Sequence, residues 1–205
     1  WNYSEEQTRK CAILAKQFKA ISVREESAIK LCNDYLGIEA VNVLDPTLLL
    51  LKEEYENLCV SVEKPNEPTL YAYILDINQE KKDFLSKIAT EKKLELKIVQ
   101  ADNNAKLTVP QWIAMFRDAE FIVTDSFHGT LFSIIFRKDF LTIGNKGRGM
   151  SRFTSILSKF GLEERLVNDF STDFQTKTEI NWNATEKLLE VEIEKSYGFL
   201  ERYLN

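Results

Sequence analysis

The chain has 205 residues, of which 44% are hydrophobic and 29% charged, and its formal net charge at pH 7 is −5. This composition is typical of a folded globular protein and excludes disordered and collagen-like chains. The length suits one sizeable domain with an appended helix, and the negative charge argues against nucleic acid as the main partner. Every apolar stretch is much shorter than the roughly 20 residues that cross a bilayer, so we expect no transmembrane segment.

The first ten residues and the cysteines indicate where the protein works. The segment WNYSEEQTRK carries acidic residues and lacks the apolar core of a secretory signal, which predicts a cytoplasmic protein. Cys11, Cys32 and Cys59 are widely spaced and form no Cys-x-x-Cys or Cys/His cluster. We therefore expect reduced, mostly buried thiols, with neither a disulfide framework nor a zinc site, and we predict no metal and no cofactor.

Helix-like and strand-like patterns alternate along the chain. The predicted strands cover residues 19–23, 41–43, 70–77, 94–99, 121–124 and 140–143. The predicted helices cover residues 4–18, 28–36, 52–59, 79–92, 110–119, 127–136 and 151–160. This alternation is typical of an α/β fold with a Rossmann-like parallel sheet and helices on both faces. The last segment predicts a long amphipathic helix, so we divide the chain into a domain 1–183 and a C-terminal helix 184–205 that packs on this domain or on another lobe.

The single histidine of the chain lies in a turn between a predicted strand and a predicted helix. In such sheets ligands bind beyond the carboxyl ends of the strands, where the turn Asp125-Ser126-Phe127-His128-Gly129 would lie. Ser126 is a good N-cap, which leaves the N–H groups of Phe127, His128 and Gly129 to bind an anion. Gly129 has no Cβ and allows close approach of a ligand or of neighbouring backbone. A histidine that only satisfies local hydrogen bonds is the alternative interpretation.

A second candidate site follows the last predicted strand, where the segment GNKGRGMSR places Lys146, Arg148 and Arg152 among three glycines. Arginine side chains bind phosphate or carboxylate through two parallel hydrogen bonds, which predicts an anion-binding loop. The segment lacks the residue order of a Walker A motif, and a solvated charged loop is the alternative. Arg24, directly after the first predicted strand, is a further candidate, with pairing to the neighbouring glutamates as its alternative role.

Several segments resemble the polysaccharide pyruvyl transferase family. They are SVREESAIKLC, VLDPTLLL, WIAMFRDAEFIVTDSFHGTLFSIIF and NKGRGMSRFTSIL, and the resemblance runs from Lys19 to Val167. The Ser-Phe-His-Gly turn is specific where it follows an apolar strand and a helix end of the form Arg-x-Ala-Glu, as it does here after residues 117–120.

The resemblance implies a fold similar to the C-terminal lobe of the two-lobed glycosyltransferase-B architecture, without the N-terminal lobe that would bind the acceptor. It implies transfer of pyruvate from phosphoenolpyruvate to two hydroxyls of a sugar, which forms a ketal in a bacterial surface polysaccharide. The partners would be phosphoenolpyruvate and a sugar or lipid-linked oligosaccharide acceptor, in the cytoplasm or at the inner face of the membrane. The acceptor sugar and a homo-oligomeric state stay open.

The resemblance also implies roles for single residues. Arg24 and His128 match the donor-binding and catalytic pair of the family, and Asp125 would orient His128. The donor would further be bound by Ser126, Phe127, Gly129, Lys146, Arg148 and Arg152. Two other functions remain open, a nucleotide-sugar glycosyltransferase lobe and a non-catalytic domain that binds a phosphorylated sugar, because fold alone does not separate them.

Overall fold

The computed structural model describes residues 2–100, 107–145, 147, 149–170 and 179–204. The chain forms two compact units, the first made of residues 1–49 with 183–205 and the second of residues 50–182. The predicted domain 1–183 is thus divided between two units, and the C-terminal helix groups with the first 49 residues.

The bounds of the elements agree with the predicted pattern to within a few residues. The strands are β1 Ser22–Val23, β2 Val41–Asn42, β3 Thr69–Ile74, β4 Glu95–Gln100, β5 Phe121–Thr124, β6 Asp139–Ile143 and β7 Leu166–Val167. The helices are α1 Glu5–Ala15, α2 Glu26–Leu31, α3 Lys52–Leu58, α4 Gln79–Lys92, α5 Val109–Asp118, α6 Phe127–Ile135, α7 Met150–Lys159 and α8 Trp182–Leu204. A π-helical turn, Cys32–Leu36, continues α2 and ends at Gly37 in the left-handed conformation.

The first unit contains a parallel two-stranded sheet, β1 with β2, and the long helix α8. Ser196 of α8 is 1% exposed, and its hydroxyl oxygen accepts a hydrogen bond of 3.0 Å from the N–H of Leu44. The hydroxyl of Tyr197 donates to the carbonyl oxygen of Leu49 at 2.8 Å. Helix α8 is therefore tied to the segment that follows β2.

The second unit contains a five-stranded sheet in the order β4-β3-β5-β6-β7, and all neighbouring strands are parallel. On one face, Phe84 and Ile88 of α4 belong to the same buried cluster as Leu70 of β3. On the other face, Trp112 of α5 packs edge-on against Tyr73 of β3, with ring centroids 5.3 Å apart. The predicted parallel α/β fold with helices on both faces and a long C-terminal helix is confirmed.

The strand order creates a crevice that the sequence pattern does not reveal. Strand β3 has β4 on one side and β5 on the other, so the winding of the chain changes direction between β3 and β5. Ligands of open parallel sheets bind at such a switch point, beyond the carboxyl ends of the strands. Strand β3 ends at Ile74 rather than at residue 77, which leaves the residues after it to form the wall of this crevice.

None of the helices in the described ranges combines the length and the apolar composition of a membrane span.

Candidate functional site

A cavity of about 320 Å³ opens beyond the carboxyl ends of β3 and β5. It is lined by Leu75, Asp125, Ser126, Phe127, His128, Arg152 and Phe153. Predicted site residues from the turn after β5 and from α7 therefore lie around one cavity, at the switch point of the sheet. In the part of the chain that the structure describes, no group of three or more His, Cys, Asp or Glu residues could hold a metal ion.

The turn from β5 into α6 places His128 at the start of a helix. The hydroxyl oxygen of Ser126 accepts a hydrogen bond from the N–H of Gly129 at 3.3 Å, which confirms Ser126 as the N-cap. The N–H of Ser126 in turn donates to the hydroxyl oxygen of Thr124 at 3.1 Å. His128 is exposed, whereas Phe127 and Gly129 on either side are buried.

Gly129 lies against the side chain of Thr124. Its N–H donates to the hydroxyl oxygen of Ser126, and the prediction that this amide binds the donor stays a prediction. A Cβ at position 129 would lie 2.3 Å from Oγ1 of Thr124. The glycine is needed because the side chain of Thr124, which is 0% exposed, fills the space beside it.

The side chain of Phe127 lies next to both His128 and Arg152. The centroids of its ring and of the His128 imidazole are 5.7 Å apart, and the two ring planes meet at 73°. The guanidinium carbon of Arg152 lies 5.3 Å from the centroid of the same ring, a favourable distance for a cation–π contact. Phe127 was predicted to contribute an amide, and its buried ring also holds Arg152 at the cavity wall.

The hydrogen bonds described for Asp125 go to the turn after β3 and to Lys81, and its predicted role in orienting His128 stays a prediction. Its carboxylate is 0% exposed and accepts hydrogen bonds from the N–H groups of Leu75 at 2.6 Å and Asp76 at 3.2 Å. It also accepts a bond of 2.6 Å from the ammonium group of Lys81. Asp125 therefore fixes the turn that follows β3.

Lys81 is a residue of the site that the sequence did not reveal. Its side chain is 10% exposed, and its ammonium group also donates to the carbonyl oxygen of Asp76 at 2.6 Å. The side-chain amide of Asn145, just after β6, donates to the carboxylate of Asp76 at 2.7 Å. In sequence Lys81 and the exposed Lys82 look alike on a charged helix, and only the strand order places the first of them beside the end of β5.

Arg24 belongs to the first unit, directly after β1. Its side chain is 43% exposed, and its guanidinium group forms an ion pair with Asp45, whose side chain is 4% exposed. Burial raises the pKa of the Asp45 carboxyl, but hydrogen bonds from Thr47 and the pairing with Arg24 outweigh burial and hold it below its ordinary value. The predicted joint role of Arg24 and His128 in donor binding stays a prediction. Lys146 and Arg148 lie outside the described residues.

A second cavity, of about 310 Å³, lies beside the amino-terminal half of β3 and is lined by Thr69 and Tyr71 of β3, Lys97 of β4, and residues of α5 and the loop before β3. Ligands of parallel sheets bind at the opposite, carboxyl ends of the strands. The cavity beside His128 is therefore the candidate active site.

Comparison with known proteins gives the family. A family model described as polysaccharide pyruvyl transferase matches residues 1–147. No curated protein matches the chain. Among solved structures the chain is similar to the wall teichoic acid polymerase TagF, with 10% identity and a TM-score of 0.39 over 98% of this chain. It spans 55% of the TagF chain, and a likeness this distant carries no argument, so the predicted similarity to a glycosyltransferase-B lobe stays a prediction. Because the family model covers most of the chain, including the turn around His128, the chain belongs to the polysaccharide pyruvyl transferase family.

Proposed function

We propose that the second unit binds phosphoenolpyruvate in the cavity beside His128, and that the protein transfers pyruvate to two hydroxyls of a sugar to form a ketal. The observation that carries the proposal is the meeting of His128, Arg152 and the N-terminus of α6 at one cavity. We expect the reaction to serve a bacterial surface polysaccharide and to occur in the cytoplasm or at the inner face of the membrane, with a sugar or lipid-linked oligosaccharide as acceptor.

The electrostatics of the cavity suit a donor with two anionic groups. The N-terminus of α6 carries roughly half a positive charge, and Arg152 adds a full one that can bind a phosphate or carboxylate through two hydrogen bonds. The contact of Arg152 with the ring of Phe127 limits where this guanidinium group can lie. Lys146 and Arg148 would add positive charge to the donor site.

The proposed chemistry moves two protons. One sugar oxygen bonds to the central carbon of phosphoenolpyruvate, whose methylene carbon takes up a proton and becomes a methyl group. The bond from the central carbon to the phosphate oxygen breaks, a second sugar oxygen bonds to that carbon, and the second hydroxyl proton leaves with the phosphate. The exposed imidazole of His128 can accept a hydroxyl proton and deliver one to carbon, because a histidine exchanges protons near neutral pH.

A ligand titration separates this proposal from its rivals. A ligand that binds the folded state raises the melting temperature with its occupancy, and the imidazole signal followed by NMR belongs to His128 because the sequence has one histidine. We expect phosphoenolpyruvate to raise the melting temperature and shift this signal more strongly than UDP or inorganic phosphate does. Selective stabilisation by UDP would instead support a nucleotide-sugar transferase. If the full-length protein binds phosphoenolpyruvate but releases no phosphate when an acceptor is added, the result would support a non-catalytic binding domain.

A further inference from the structure

Asp125 is an unexpected residue for the wall of an anion-binding cavity. Its carboxylate has no exposure to solvent, yet it lines the same cavity as His128 and Arg152. Two like charges about 5 Å apart at the edge of a protein repel strongly enough to change an affinity by tenfold or more. An uncompensated carboxylate at this place would therefore oppose the binding of phosphate or carboxylate.

The structure shows what compensates this charge. The ammonium group of Lys81 is 2.6 Å from Oδ2 of Asp125, and both side chains are shielded from water. Lys81 itself does not line the cavity, so it acts on a ligand through Asp125 rather than by contact. The same ammonium group bonds to the carbonyl oxygen of Asp76, which joins the turn after β3 to the turn after β5.

We infer that Lys81 is a positioning residue of the donor cavity, which offsets the charge of Asp125 and fixes the two turns that form the cavity wall. The identity of the donor rests on the proposed function, whereas the role of Lys81 requires only that the ligand is an anion. Fold stability alone does not explain the pair, because a buried ion pair is on average no more stabilising than apolar side chains of similar volume.

The chain offers a matched set of variants. Lys81→Met removes the ammonium group and leaves the carboxylate of Asp125 uncompensated. The double variant Lys81→Met/Asp125→Asn removes both charges, while the asparagine oxygen still accepts a backbone hydrogen bond. Lys82→Met removes the same charge one position further along α4, where the side chain is exposed.

The test measures the affinity of each variant for phosphoenolpyruvate and for inorganic phosphate from the imidazole signal of His128, at a temperature at which the variant is folded. We expect Lys81→Met to bind both anions at least about tenfold more weakly. We expect the double variant to return to within about threefold of the wild type, because it has no uncompensated carboxylate at the cavity, and Lys82→Met to match the wild type. A merely structural ion pair gives no such recovery, because the double variant lacks both partners.

The results separate the failure of this inference from that of the proposed function. Wild-type affinity in folded Lys81→Met overturns the role of Lys81, whatever the donor is. If Lys81→Met does not fold, the double variant decides, and weak anion binding by the folded double variant overturns the inference. Binding of inorganic phosphate with no preference for phosphoenolpyruvate overturns the proposed donor and leaves the role of Lys81 standing. A wild type that binds neither anion overturns both.

Discussion

His128 is an exposed residue between two buried neighbours. The imidazole is exposed at the cavity, while the buried side chain of Phe127 and the tight packing of Gly129 against Thr124 fix the backbone on either side. Such a group is placed to exchange protons with a bound substrate.

Replacement of His128 by glutamine tests this role. Glutamine keeps hydrogen-bonding groups but does not take up a proton, so we expect His128→Gln to lower the turnover of pyruvyl transfer by at least about 100-fold. The measurement is acceptor-dependent phosphate release by the full-length protein, with the melting temperature as the check on folding. Full turnover in the folded variant would remove His128 from the mechanism.

Asp45 makes the stability of the first unit depend on pH. Its pKa lies below the ordinary value of about 3.9 because the bonds from Thr47 and Arg24 outweigh the effect of burial. A carboxyl group with a lowered pKa in the folded state contributes its stability at pH values above the unfolded pKa. That contribution is lost as the pH falls through the lower, folded pKa.

We therefore expect Asp45→Asn to destabilise the first unit by about 1–3 kcal/mol near neutral pH. The difference from the wild type should stay constant down to about pH 5 and narrow below about pH 4. Urea denaturation across this range measures it, and the exposed Glu39 provides a control variant, Glu39→Gln, with little expected effect. A difference that widens on acidification would contradict the assignment.

At the level of single elements, the junction of β5 and α6 should be the least tolerant of substitution. Gly129→Ala would improve helix propensity by up to about 1 kcal/mol but places a Cβ 2.3 Å from Oγ1 of the buried Thr124. We expect the clash to win and the second unit to lose about 1–3 kcal/mol in unfolding free energy.

A control for this substitution lies in α8. A Cβ added at Gly198 would meet no heavy atom within 4 Å, so Gly198→Ala should stabilise its helix by up to about 1 kcal/mol. Thermal unfolding of the two variants compares them directly. A Gly129→Ala variant that is more stable than the wild type would show that the side chain of Thr124 moves aside at little cost in free energy.

The elements with strong periodic patterns could be predicted from the sequence, whereas strand β7 and the π-helical turn could not. The predicted strand at β5 and the predicted helices at α4 and α6 match the structure closely, because their apolar residues recur at strand or helix spacing. Strand β7 has only Leu166 and Val167, and its pairing with β6 depends on tertiary packing rather than on local pattern. The π-helical turn after α2 likewise has no sequence signature.

At the level of the whole molecule, we expect a destabilising substitution in one unit to leave the stability of the other unit unchanged. Ser196 is 1% exposed, accepts from the N–H of Leu44 and donates to the carbonyl oxygen of Glu192 at 2.7 Å, all within the first unit. Ser196→Ala leaves the buried N–H of Leu44 without this partner, which costs about 1–3 kcal/mol.

Amide hydrogen exchange measures which strands lose stability in this variant. We expect faster exchange in β1 and β2 after Ser196→Ala, with unchanged protection in β3 and β5. Exposed Ser27 offers Ser27→Ala as a comparison on the surface of the same unit. Equal loss of protection in both units would show that they open together.

The candidate site was only partly predictable, for a reason that concerns the whole fold. The turn around His128 and the segment that contains Arg152 could be found because each follows a predicted strand and contains residue types that bind anions. The pairing of Lys81 with Asp125 could not be found, since it depends on β3 lying between β4 and β5. Strand order is a property of long-range packing that local periodicity does not encode.

The side chains around the cavity come from the segments just beyond β3 and β5 and from the first turns of α6 and α7, whereas the strands themselves are mostly buried among other apolar residues. Changes in those connecting segments can therefore alter which ligand the cavity binds while the sheet stays intact. The same framework is open to new specificities by mutation or by loop grafting, and its evolutionary history within the family should be recorded in the connections more than in the strands.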